Sequence, residues 1–217
     1  MNKELIIVGT GGHASSVTNV ALSCGYQIIN YIDRKEGNTS FLGVPIISNE
    51  DYLSMYPNCN YFIAIGDNYL REKVYEKLVL LLPKAKFPCL IHPKSIIGVS
   101  CKIGNGTIVM PGAHVGTNTT IGKFCIINTN GSIDHDSLMK DYSSLAPGVT
   151  TGGNINVGMR SAISIGSTLK NNIQIGSDTI IGACSFVNKN IADKVIAYGI
   201  PCKKIKDREI GEPYLNN

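Results

Sequence analysis

The chain reads as two parts, an α/β domain over residues 1–90 and a β-solenoid over residues 91–217, and three observations support this. From Ile91 to Ala192, seventeen six-residue blocks follow one another without insertion or deletion, nearly all of them opening on an aliphatic residue. Ahead of them, short apolar runs alternate with helical stretches. A glycine-rich turn, Gly9-Thr10-Gly11-Gly12-His13, joins the first apolar run to the first helical stretch.

In chain order, Leu5 to Val8 is a buried strand, His13 to Cys24 a helix stopped by Gly25, and Gln27 to Ile32 a second strand. Asn49 to Met55 reads as a short helix, Tyr61 to Ile65 as a strand and Tyr69 to Leu82 as a helix, with Lys86 to Ile91 leading into the first coil. A βαβαβαβ order implies a parallel sheet covered by helices. Four strands amount to about half of a six-stranded dinucleotide-binding sheet, which suits one nucleotide.

The glycine turn lets a phosphate approach the backbone while the next helix presents its free N–H groups and positive dipole end. It matches the dinucleotide fingerprint loosely, because Ala14 follows where a third glycine is usual. Asp33 ends the second strand, where a carboxylate accepts from a sugar hydroxyl. Gly66-Asp67-Asn68 follows the third strand on the same rim. Close packing alone is the lesser alternative for the glycines, and a helix cap is the alternative for Asp67.

The solenoid's first positions run Ile91, Ile97, Ile103, Val109 and onward to Val187, with Thr151 the one departure. Fifth positions are small or β-branched, such as Cys101, Thr107, Cys125, Ser137 and Ser143. A period of six suits neither a helix face nor a long alternating strand. It suits short strands joined by regular turns, each coil sending its first residue into a continuous aliphatic column.

Among these apolar and small residues, Asp134-His135-Asp136 stands apart as an ionisable group between two carboxylates. Histidine titrates near neutrality, and an adjacent carboxylate fixes its tautomer, so His135 is a candidate general base with Asp136 as its partner. A surface histidine in a polar turn is the plainer alternative. Ser137 and Ser143 point inward, which argues against a nucleophilic triad and for direct attack by an acceptor. The four histidines His13, His92, His114 and His135 lack ligand spacing, so no metal is expected.

Composition sets the outer limits. The net charge is a modest +4, no apolar run approaches the roughly 18 residues of a membrane span, and no signal-peptide pattern opens the chain. Seven cysteines without a CxxC pair fit a reducing compartment. Nucleic-acid binding and a membrane span are not expected, and a cytoplasmic location is.

Val8-Gly9-Thr10-Gly11-Gly12-His13-Ala14, the hexads, Asn128-Thr129, Asp134-His135-Asp136 and Gly199-Ile200-Pro201-Cys202-Lys203 together resemble the hexapeptide-repeat acyltransferases that acetylate sugars. The branch most similar acts on nucleotide-linked 4-amino-4,6-dideoxy sugars, with a sialic-acid O-acetyltransferase branch nearby. The resemblance implies a half-Rossmann domain that binds the nucleotide sugar, a left-handed parallel β-helix, a homotrimer with sites between subunits, and acetyl-CoA as co-substrate. It implies that His135 is the base and Asp136 its acidic neighbour, where relatives often carry Glu. Gly11, Gly12, His13, Asp33, Arg34, Gly66, Asp67 and Asn128 fall on the sugar-nucleotide side, and Gly153, Ile165, Gly182, Ala183 and Lys203 on the CoA side. Ser144 stands where some relatives have a second histidine. The expected activity is N-acetylation of the 4-amine of a UDP- or dTDP-linked sugar for surface-glycan or glycoprotein assembly. Sugar O-acetylation and a non-catalytic nucleotide-sugar-binding trimer are the competing expectations.

Overall fold

The computed structural model describes residues 3–33, 39–48 and 56–215. The chain opens with β1 (Lys3–Val8), α1 (Gly12–Ser23) and β2 (Tyr26–Ile32), continues with β3 (Ser40–Phe41), β4 (Val44–Ile47) and β5 (Asn60–Ile63), and reaches α2 (Asn68–Leu81). The run Leu5-Ile6-Ile7 is fully buried because β1 lies inside the sheet with a layer on each face. The strand order is β3-β4-β2-β1-β5. The β4, β2, β1 and β5 ladders are parallel, as the alternating pattern requires.

One correction concerns the β3–β4 pair. No element is expected from the sequence between Ile32 and Asn49, yet these strands form an antiparallel hairpin there. Leu42 (φ 48°) and Gly43 (φ 77°) make its two-residue turn, with both central residues left-handed, the geometry that matches strand twist. The expected helix at 49–55 lies outside the described residues, as does Arg34.

The solenoid holds seventeen two-residue strands, one per hexad, from β6 (Leu90–Ile91) to β22 (Phe186–Val187). Every third strand stacks in parallel, so residue i pairs with residue i+18, as in Ile127 with Leu145 and Val115 with Ile133. Three faces result. Face one carries β6, β9, β12, β15, β18 and β21, face two carries β7 through β22, and face three carries β8 through β20. This is the left-handed parallel β-helix expected.

The first positions form one buried column, including Val109, Ile127, Leu145 and Ile163 at 0% exposure. The fifth positions do more than fill space. Thr107 Oγ1, Ser137 Oγ and Ser161 Oγ accept from the N–H groups of Cys125, Ile155 and Thr179 in the next coil, at 2.9, 3.1 and 2.9 Å. Hydroxyls therefore satisfy corner amides that no strand partner reaches.

At the corners, the fourth position of every hexad except the first and the last adopts a positive φ: Asn118, Asp136 and Asn154 on one edge, Gly112, Asn130 and Gly148 on another, and Phe124, Tyr142 and Arg160 on the third. Asn, Asp and Gly accept that conformation readily, whereas Phe, Tyr and Arg do so at a cost of about 1 kcal/mol or more each. Those bulky residues are where the first domain docks. Phe124 and Tyr142 stack at 5.4 Å between ring centroids, and Tyr75 of α2 packs on Phe124 at 4.4 Å.

Arg71 of α2, 1% exposed, ties the two parts together. Its guanidinium donates to the carbonyls of Phe124, Ile65, Gly66 and Tyr142 and to Asn68 Oδ1, at 2.6–3.0 Å. Asn68 Nδ2 reaches Ser144 Oγ and the carbonyls of Arg160 and Ser161. Arg160 pairs with Glu72 and Asp178. Leu90, Ile108 and Ile126, projecting from face one, join the α1 core. The α/β domain thus sits on face one and its edge with face three.

At the far end β23 (Val195–Gly199) extends face one in parallel and β24 (Cys202–Asp207) folds back antiparallel. Beyond β24 the chain returns toward the first domain. Among the described residues no helix is long and apolar enough to cross a membrane.

Candidate active site

A cleft of about 920 Å³ opens at the carboxyl ends of β1, β2 and β5, the rim on which ligands of open parallel sheets collect. Gly9 to His13, Asp33, Gly66, Asp67, Lys73 and Lys77 are among its lining residues, and its remaining wall is largely aliphatic. The loop after β1 turns sharply because Gly9 takes φ 110°, and a Cβ there would stand 3.1 Å from the Ala64 carbonyl oxygen. Gly11 caps α1 with no side-chain partner, so the first amides of this helix point into the cleft.

His13 Nε2 is sealed from solvent and has no hydrogen-bond partner, although the residue as a whole keeps some exposure. Burial, reinforced by the Arg71 charge, lowers its pKa to about 4, so at pH 7 His13 is neutral. Asp33 Oδ2 accepts from the Thr10 N–H at 3.0 Å and from the Thr10 hydroxyl. The carboxylate read as a sugar-hydroxyl acceptor therefore also braces the glycine loop. Asp67 Oδ1 caps α2 by accepting from the Leu70 N–H at 2.9 Å, and the residue also lines the cleft.

His135 lies elsewhere, in the turn between β13 (Ser132–Ile133) and β14 (Leu138–Met139), on the edge between faces two and three. Its Nδ1 is 2.7 Å from Asp136 Oδ2. Asp136 is held in turn by Asn118 Nδ2 from the preceding coil, at 3.2 Å. The Asp136 hydrogen bond, followed by the Asp134 charge, raises the imidazole pKa, while the same hydrogen bond lowers that of the Asp136 carboxyl. Asp134 Oδ1 accepts from the His135 N–H at 2.8 Å, and the Asp134 N–H donates to Thr151 Oγ1 at 3.2 Å. The single irregular first position in the hexads thus anchors the block that holds the histidine.

Asp136 occupies the left-handed corner position (φ 55°), which a short Asx side chain tolerates better than Glu. Two glycines make room for the block. A Cβ on Gly116 would fall 2.6 Å from the His135 backbone nitrogen, and one on Gly153 would fall 2.6 Å from Nε2 and Cε1 of its ring. Gly153, assigned from the resemblance to the CoA side, is the surface on which the imidazole rests. That contact follows from the eighteen-residue coil and could have been found by adding 18 to 135.

The other CoA-side residues cluster on a different edge. Ile165, Gly182 and Ala183, together with Asn128, occupy the turns between faces one and two. Gly182 lies under Tyr198, whose strand partner is Lys203. Asn128 therefore falls on another edge from His135 of its own chain. Ser144 accepts from Asn68 in the seam between the domains, a location unlike that of a reacting group. Ser137 and Ser143 are buried, as expected. Residues that sequence reasoning missed are Thr10, Asn118, Thr151, Lys73 and Lys77. Among the described residues no group of three or more His, Cys, Asp or Glu side chains could hold a metal ion.

Residues 4–78 match the family model described as the PglD N-terminal domain. A point mutant of perosamine N-acetyltransferase from Caulobacter crescentus, solved with CoA and GDP-perosamine, is 31% identical, with 94% of this chain and 97% of that one covered and a TM-score of 0.89. The chain belongs to the hexapeptide-repeat sugar acyltransferase family. Within that family, GDP-perosamine N-acetyltransferase of Escherichia coli O157:H7 is 28% identical over 74% of this chain and 72% of its own. The acetyltransferase domain of PglB from Neisseria gonorrhoeae, solved with acetyl coenzyme A, is 29% identical, with 94% and 100% covered and a TM-score of 0.88. The two perosamine relatives are, by name, N-acetyltransferases and the PglB relative is an acetyltransferase domain, and the two solved structures hold CoA and acetyl-CoA.

Proposed function

We propose that the chain transfers an acetyl group from acetyl-CoA to the 4-amine of a nucleotide-linked 4-amino-4,6-dideoxyhexose, in surface-glycan or glycoprotein assembly. The observation that carries this reading is the exposed His135–Asp136 pair at 2.7 Å, in a protein that also has an anion-ready cleft. The relatives that act on GDP-perosamine and UDP-N-acetylbacillosamine support the substrate class.

Asp136 accepts from Nδ1–H, which leaves the Nε2 lone pair to receive a proton. His135 removes the proton from the attacking sugar amine, and Asp136 and Asp134 stabilise the imidazolium that forms. The resulting imidazolium returns the proton to the departing thiolate. Exposed Ile165, Tyr198 and Ile200, with Lys203 and Lys204 beside them, present the apolar and cationic surface that a pantetheine arm and its phosphates require. Bound there, acetyl-CoA supplies the activated acetyl group.

Each copy carries His135 on the edge opposite the face that holds its own cleft. A cleft from one copy meeting the His135 edge of a neighbour favours a homotrimer with sites at the interfaces. The test is thiol release from acetyl-CoA with GDP-, UDP- and dTDP-linked 4-amino sugars and their 4-hydroxy counterparts. Amine-dependent turnover, lost in His135→Ala, is expected. Turnover only with hydroxyl acceptors, nucleotide binding with no thiol release, or an unchanged His135→Ala rate would overturn the proposal.

A further inference from the structure

The return of the C-terminal tail has no part in the chemistry above, yet it reaches the cleft. Arg208, 5% exposed, starts the return, donating to the Asp178 carbonyl at 3.1 Å and to that of Glu212, with its N–H on the Lys194 carbonyl. Its guanidinium lies 5.6 Å from the Tyr214 ring centroid. Gly211 (φ 82°) packs against the Tyr69 ring, where a Cβ would come within 2.9 Å. Tyr214 then enters the seam between the domains. Its hydroxyl accepts from the Asn68 N–H at 3.2 Å and donates to the Gly66 carbonyl at 3.4 Å, and burial raises its pKa.

These contacts deliver Leu215 to the cleft, where its Cδ1 stands 3.3 Å from the position of a Cβ on Gly66. Leu215 is still 45% exposed, which leaves its outer face open toward the cleft. Leu70, Val74, Leu78 and Leu81 of α2 supply further aliphatic lining. The last described residue is therefore held as a wall of a cleft whose floor is the glycine loop.

We infer that the tail is part of the sugar-nucleotide site, with Leu215 a specificity-determining contact and Tyr214 the residue that positions it. The ligand class is a nucleoside diphosphate sugar. With the diphosphate at the α1 N-terminus, Leu215 meets the moiety on the β5 side, away from Asp33. Aliphatic contact there favours an apolar face, such as that of a base or a deoxygenated sugar, over a fully hydroxylated one. The inference rests on the proposed function.

The experiment compares wild type, Leu215→Ala and Leu215→Met by steady-state kinetics, nucleotide-sugar titration and thermal melting. Loss of a half-buried isobutyl group predicts a KM for the nucleotide sugar raised about five- to tenfold in Leu215→Ala. The KM for acetyl-CoA and the ligand-free melting temperature stay unchanged, and Leu215→Met restores binding. Equal nucleotide-sugar KM values in wild type and Leu215→Ala would overturn the inference. So would a parallel rise in both KM values with a lowered melting temperature, which marks a structural role alone. A wild-type protein that binds no nucleotide sugar would instead overturn the underlying functional reading.

Discussion

Replacing Gly153 with alanine adds one methyl group beneath the His135 imidazole, the proposed base. That methyl would sit 2.6 Å from Nε2 and Cε1 of His135 and 3.0 Å from Cδ2. Non-bonded carbon contacts settle at about 3.5–4.0 Å, so the ring must retreat by about 1 Å. Gly153 has no positive φ, and alanine is compatible with its backbone. The imidazole is the movable partner. A 1 Å retreat lengthens the 2.7 Å contact of Nδ1 with Asp136 Oδ2 by up to about 1 Å, the upper end of which lies beyond hydrogen-bond range. Misplacement of that size costs on the order of 10²-fold in rate. The expected result for Gly153→Ala is a kcat lowered about a hundredfold in the thiol-release assay, with unchanged circular dichroism and a nearly unchanged melting temperature. A kcat within twofold of wild type would refute the view that this glycine supports the base.

Two further outcomes follow from the same contacts. Asp136→Asn keeps the shape and tolerates the left-handed φ, but it removes the carboxylate that chiefly raises the His135 pKa. In the proposed role His135 acts only when neutral, so wild-type kcat/KM should fall as pH drops through its raised pKa. In the variant that acidic limb moves to lower pH and the plateau falls, by less than the roughly 10²–10⁴ lost with the whole base. A limb that stays in place would show that Asp136 does not set the base. Arg71→Met leaves four carbonyl groups and Asn68 Oδ1 without their buried donor. The expected loss is about 3 kcal/mol, or roughly 6–12 °C in melting temperature for a chain of this size. Calorimetry showing a shift under 2 °C would remove the guanidinium from its role between the domains.

The solenoid was legible in the sequence because every coil repeats one environment, so a hydrophobic first position recurs wherever the column needs it. The left-handed fourth position was not. It demands a conformation that Asn, Gly, Phe, Tyr, Arg and Cys all supply here, leaving no compositional trace. His135 and Asp136 were visible as charge within an apolar pattern. Their supports at Asn118, Thr151 and Gly153 become visible only once the coil length of eighteen is known. The Leu42-Gly43 turn lacks the Asn-Gly or Asp-Gly signature that marks a hairpin. The Thr10–Asp33 bond joins residues 23 apart through sheet order. Arg71 sits on a helix whose sequence gives no sign that this cation is enclosed, because its partners are four main-chain oxygens and the Asn68 amide oxygen rather than acids.

Stacked coils also make the molecule a ruler graduated in whole rungs. Neighbouring strands in a sheet lie about 4.8 Å apart, and one rung costs eighteen residues. Arg71 grips the rungs of Phe124 and Tyr142, and His135 lies between those residues in the chain, on the connecting coil. The height of His135 relative to the cleft is therefore quantised. Removal of eighteen residues between Tyr142 and the tail would leave that height intact and shorten the span that Leu215 must cross. Removal of the eighteen residues from Cys125 to Tyr142 would delete His135 itself, and any other length would have to bulge outward at a corner.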